Sequence, residues 1–99
     1  MNSLLLTTLL LLTNWVNISG EIKKSDARNW DQAKVILTSN NVFLGESVLT
    51  EEGRYSIDYL VEGEAGYELR IVYNSLKDTV LLKEVVQFES QFEVWNFEM

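Results

Sequence analysis

Ala33 to Ile57, AKVILTSNNVFLGESVLTEEGRYSI, reads as strand, turn, strand, acidic glycine turn, strand. Val35 and Leu37 alternate with Lys34 and Thr38, the period of two that sends successive side chains to opposite faces of a sheet. Asn40 and Asn41 interrupt the run, Val42 to Thr50 resumes it, and Glu51, Glu52 and Gly53 turn the chain again. Such a pattern points to a fold rather than to a reaction.

The same period continues on both sides. Trp15 to Lys23 sets Val16, Ile18, Gly20 and Ile22 against Asn17, Ser19, Glu21 and Lys23, a half-buried strand. Lys24 to Gln32 is polar except for Ala27 and Trp30, so it reads as a loop whose Trp30 folds back over one end of the core. Beyond Gly53, Tyr55, Ile57 and Tyr59 alternate with Arg54, Ser56 and Asp58; Val61 to Gly66 is a loop; Tyr67, Leu69, Ile71 and Tyr73 share the face of the next strand. Asp78 to Phe88 suits a strand or a short helix, and its valine and threonine content favours a strand with a bulge near Lys83 and Glu84. Phe92, Val94 or Trp95, and Phe97 form a closing strand. Seven short strands with no convincing helix predict an all-β, antiparallel sandwich over residues 15–99. With no proline to protect sheet edges, the outward charges of Glu46, Glu68, Arg70, Lys83, Glu84 and Glu93 are expected to guard them.

Residues 1–14 read as a leader. Leu4 to Leu12, LLLTTLLLL, has the length of the apolar part of a secretory signal peptide, and it falls short of the about 20 apolar residues of a membrane helix. A basic residue before the run and a clean cleavage site are both missing, which leaves a buried helix or first strand as the alternative. The expected location is secreted, periplasmic or cell-surface, with no transmembrane span in the mature chain.

Fifteen acidic and eight basic residues give a net charge of −7, and all of them follow residue 20. Nucleic-acid binding depends on bases that neutralise phosphates, so no nucleic-acid partner is expected. With no histidine and no cysteine, the common general base, thiolate nucleophile and zinc ligands are missing. Glu51 and Glu52 are adjacent, which suits a solvated turn better than a catalytic pair. The glycines are dispersed and form no phosphate loop. The chain is therefore expected to be no enzyme and to hold no cofactor. If an ion binds, calcium fits best, through the carboxylates of Glu62 and Glu64 or of Glu51, Glu52 and Asp58.

Two candidate sites remain. Asn17-Ile18-Ser19 is a glycosylation sequon, relevant to an exported eukaryotic chain. Trp30, Tyr59 and Tyr73 are the candidate ligand-binding residues of a glycan or peptide site with an acidic rim.

The order ISGEI, AKVIL, TEEGRYSI, GYELRIVYNS and FEVWNFEM resembles the carboxypeptidase regulatory-like domain, a transthyretin-like, prealbumin-like fold. The likeness rests on the hydrophobic-x-Gly-x-hydrophobic strand Ile18 to Ile22, Ala33 opening the second strand, the turn Thr50 to Tyr55, and Tyr67-x-Leu69. It departs at Asn29 to Gln32, where the family has Pro-Leu, and in the longer excursion Asn40 to Ser47. The resemblance implies a seven-stranded Greek-key sandwich serving as a noncatalytic accessory module of secreted or envelope proteins, with an envelope or secreted protein as partner. Lys23 and Asn96 invite comparison with the internal isopeptide bond of some surface modules of similar topology. The acid that assists there corresponds to Ile71 here, so no crosslink is expected.

Overall fold

The computed structural model of the chain describes residues 14–24 and 28–99; the apolar run Leu4 to Leu12 lies outside the described residues. The elements are β1 (Trp15–Lys23), β2 (Lys34–Ser39), β3 (Val42–Val48), β4 (Arg54–Leu60), β5 (Tyr67–Tyr73), β6 (Asp78–Val85), β7 (Phe92–Val94) and β8 (Phe97–Glu98). The fold is all-β, and among the described residues no helix is long and apolar enough to cross a membrane. Among the described residues eight strands stand where seven were expected, because the closing segment is divided at Trp95 and Asn96.

The strands form two sheets. One has the order β4-β1-β7, with β8 also on β1, and the other has the order β3-β2-β5-β6. Most pairings are antiparallel, but β7 and β8 run parallel to β1, which corrects the expectation of an entirely antiparallel fold. The chain leaves β6 and returns along the free side of β1 in the direction that β1 itself runs.

Local chemistry accounts for the turns. Asn40 and Asn41 have φ of 51° and 66°, the left-handed pair of a two-residue hairpin turn, which asparagine tolerates better than other side chains. Gly53, at φ 85°, closes the acidic turn, and its carbonyl accepts the Ile22 amide at 2.7 Å. The registers of β2 with β3 and of β5 with β6 each shift by one residue, leaving Leu44 and Leu82 as the extra residues. The second bulge adjoins the Lys83-Glu84 position expected from the sequence.

The core lies between the sheets. Val16, Ile18 and Ile22 of β1 and Tyr55, Ile57 and Tyr59 of β4 face Val35 and Leu37 of β2 and Tyr67, Leu69 and Ile71 of β5, all buried. Burying each such side chain contributes about 1.5–3 kcal/mol, so this alternation holds the two sheets together.

Candidate functional site

The carboxy-terminal segment is fastened to β1 at both ends of β7. The Asn17 amide donates to the Gln91 carbonyl at 2.8 Å, and the Trp95 amide donates to the Ser19 carbonyl at 2.8 Å. In a parallel ladder alternate residues address one neighbour, so residues 91, 93 and 95 face β1. The backbone groups of Phe92 and Val94 therefore point away from it, along the free edge of the sheet. The Phe92 amide meets its own turn at Ser90 Oγ, 3.2 Å away. The Val94 amide points along the same edge and meets no partner among the described residues.

The side chains of this edge are apolar and solvent-exposed. Phe92 is 73% exposed and Val94 64%, and both lie on the outer face with Trp15, which is 55% exposed. Of the alternatives Val94 and Trp95, the structure buries Trp95 and leaves Phe92 and Val94 facing away from the core. Glu93 turns inward, correcting its expected outward, edge-guarding position. Its Oε1 accepts the amides of Glu89 at 2.7 Å and Ser90 at 3.0 Å, and its Oε2 accepts the Trp95 indole N–H at 3.3 Å.

Trp95 sets this phase. Its side chain is buried, its carbonyl accepts the Tyr55 hydroxyl at 2.6 Å, and it lies so close to β1 that a Cβ at Gly20 would overlap that carbonyl. The sequence held a signal: apolar positions switch from even (Phe92, Val94) to odd (Trp95, Phe97), as they do where a strand breaks.

Beside this edge, between β6 and β7, is an open cleft of about 420 Å³ lined by Lys83, Val85, Gln87, Glu89, Glu93 and Trp95. The Lys83 ammonium stands over the Trp95 ring, 5.0 Å from its centroid.

The residues singled out from the sequence fall in three places. Trp30 and Tyr73 meet, with ring centroids 5.5 Å apart, and Lys24 and Arg28 stand over their faces. This pair fastens the loop before β2 to the turn after β5, helped by the Asn74 amide on the Asn29 carbonyl and the Ser75 amide on the Asp31 carbonyl, each 2.9 Å. The Trp30 indole N–H is buried without a hydrogen-bond partner. Tyr59 lies elsewhere, edge-on to Tyr67 at 6.3 Å. Tyr67 and Tyr73 stand at opposite ends of β5, about 20 Å apart at the rise of a strand, so the three aromatics do not converge. Asn17 is at mid-strand on the outer face, where its Nδ2 donates to Ser56 Oγ and Asp58 Oδ1, both at 2.9 Å.

The acidic loop is tied to the tyrosines. Glu64 accepts the Glu62 amide at 3.1 Å, and the Tyr67 hydroxyl lies 3.3 Å from its carboxylate. Hydrogen bonding by the Tyr59 hydroxyl, together with the amides of its own loop and Tyr67, holds the Glu64 carboxyl below its ordinary pKa. Burial, reinforced by Glu64, pushes Tyr67 up to about 12 and raises Tyr59 also. Among the described residues no three carboxylates gather as a metal site. Asn96 Oδ1 accepts the Glu21 amide at 2.9 Å, and Ile71 is fully buried.

No family model matches the chain, and no curated protein matches it. Among solved structures, the 9R-lipoxygenase of Cyanothece PCC8801 is similar, with a TM-score of 0.52 and 14% identity. The match covers 89% of this chain and only 17% of the lipoxygenase chain. At that identity the likeness is one of fold alone.

Proposed function

We propose that this chain is a noncatalytic, exported β-sandwich module of the transthyretin-like, Greek-key kind that works at the cell envelope by holding a protein partner, an extended segment of which adds as a strand along β7. The observation that carries this reading is the exposure of the Phe92 and Val94 side chains on β7, which ends its sheet's strand order among the described residues. An uncovered edge offers main-chain hydrogen bonds to any extended chain, and apolar side chains beside it supply contact area. The other edges are less suited. β3 and β6 each carry a bulge, which twists an edge away from pairing, and β4 is joined to β3 through the Ser56 amide and Ser47 Oγ at 3.1 Å. The pairing of β1 with β4 on one side and with the closing strand on the other supports the sandwich topology.

The test is proline at Val94, which deletes the outward N–H and leaves the ladder to β1 intact. The probe is a synthetic eight-residue peptide alternating valine with threonine and lysine, capped at both ends. Binding by the unmodified chain, and loss of at least about tenfold in affinity for Val94→Pro with its melting temperature kept, is the expected result. Equal binding by both proteins refutes strand addition at β7.

A further inference from the structure

We propose that the cleft between β6 and β7 is a cation subsite, which takes a lysine or arginine side chain from the strand added along β7. The inference rests on the β7 reading and specifies the partner's chemistry. Side chains of an added strand alternate between faces, so those that do not lie with Phe92 and Val94 point between the sheets, into the cleft.

What lines the cleft selects a cation. The Trp95 ring forms one wall, and an indole face attracts a positive charge through its quadrupole. Glu93 borders the ring, and its carboxylate is held by three donors at 2.7, 3.0 and 3.3 Å, so little further ordering is needed when a cation arrives. Glu89 adds a second carboxylate at the mouth. The chain's net charge of −7 steers a basic partner toward it.

The protein already demonstrates the contact. Lys83 places its own ammonium 5.0 Å from the Trp95 centroid, although the residue is solvent-exposed and sits next to the bulge of β6. The ammonium of Lys83 occupies the ring face that an incoming cation would take, and like charges repel there, so the newcomer displaces Lys83, which swings into water at little cost. Lys83 thus acts as an internal stand-in that an entering side chain must replace. A planar guanidinium stacks on indole and pairs with a carboxylate in two contacts, so arginine is favoured over lysine.

Three synthetic alternating peptides test this, identical except that the inward position carries arginine, lysine or norleucine, titrated calorimetrically into the full chain. Arginine and lysine peptides are expected to bind about tenfold more tightly than norleucine. Lys83→Met, which removes the competitor, is expected to tighten the lysine peptide several-fold, and Glu93→Gln to weaken the lysine peptide by a larger factor than the norleucine peptide. If all three peptides bind equally, or if Lys83→Met weakens the lysine peptide, the cation subsite is refuted and strand addition stands. If none binds, the β7 reading falls and the subsite with it.

Discussion

The Tyr55 hydroxyl donates a 2.6 Å hydrogen bond to the Trp95 carbonyl, joining β4 to the break between β7 and β8 through the interior. This bond sits where the closing segment changes phase, and with the crowding of Gly20 against the same carbonyl it fixes which side of β7 faces out. The exposure of Phe92 and Val94 follows from how Trp95 is held.

Tyr55→Phe keeps the ring and removes the donor, leaving a buried carbonyl unpaired. A loss of about 1–3 kcal/mol is expected by urea denaturation. Hydrogen exchange should accelerate at the Trp95 amide more than at Ile71 in β5. A uniform acceleration would show that the bond stabilises the whole fold without anchoring this segment in particular.

Gly20→Ala pushes a methyl group into the Trp95 carbonyl, and that contact involves backbone that no side-chain rotation relieves. A destabilisation of about 2–4 kcal/mol is expected, with β7 and β8 separating first from β1. Ser19→Ala, one residue away on the outer face, should change stability by less than about 0.5 kcal/mol in the same thermal melts.

Stability should fall on the alkaline side. Tyr67 is raised to about 12 in the folded chain, so between the ordinary tyrosine value of about 10 and that point the folded state binds more protons than the unfolded state. Its contribution is complete below the unfolded value and is lost as pH rises through the folded one; Tyr55 and Tyr59 shift the same way, chiefly through burial. Glu64 acts oppositely, contributing above the ordinary carboxylate range and losing that contribution as pH falls through its depressed value. Denaturation midpoints across pH should therefore drop from about 10 upward, and Tyr67→Phe should flatten that drop.

Much of the fold was legible because the middle strands are half buried and regular. Tyr55, Ile57 and Tyr59 are inside, and Arg54, Ser56, Asp58 and Leu60 outside, as period two requires. The Asn40-Asn41 turn was equally plain, since few side chains accept two left-handed residues in succession. The candidate site was much less legible. Phe92 and Val94 look like core residues until Trp95 is known to be tethered from β4, and Glu93 looks solvent-facing until the amides of Glu89 and Ser90 are seen to meet it. Trp30, Tyr59 and Tyr73 suit an aromatic platform by composition, but strand length separates the third from the second. Local pattern reports which positions alternate; the tether from Tyr55 to Trp95, 40 residues away, and the turn amides that meet Glu93 decide which face is covered.

The central claim is that a partner pairs with the outward backbone of β7. It is tested most directly by nuclear Overhauser contacts between the isotopically labelled chain and the alternating peptide. The account predicts backbone contacts from the peptide to Phe92 and Val94, a downfield-shifted Val94 amide newly protected from exchange, and unchanged Glu93 and Trp95 amides. Contacts confined to β3 or β6, or a Val94 amide that exchanges as freely as before, would contradict it.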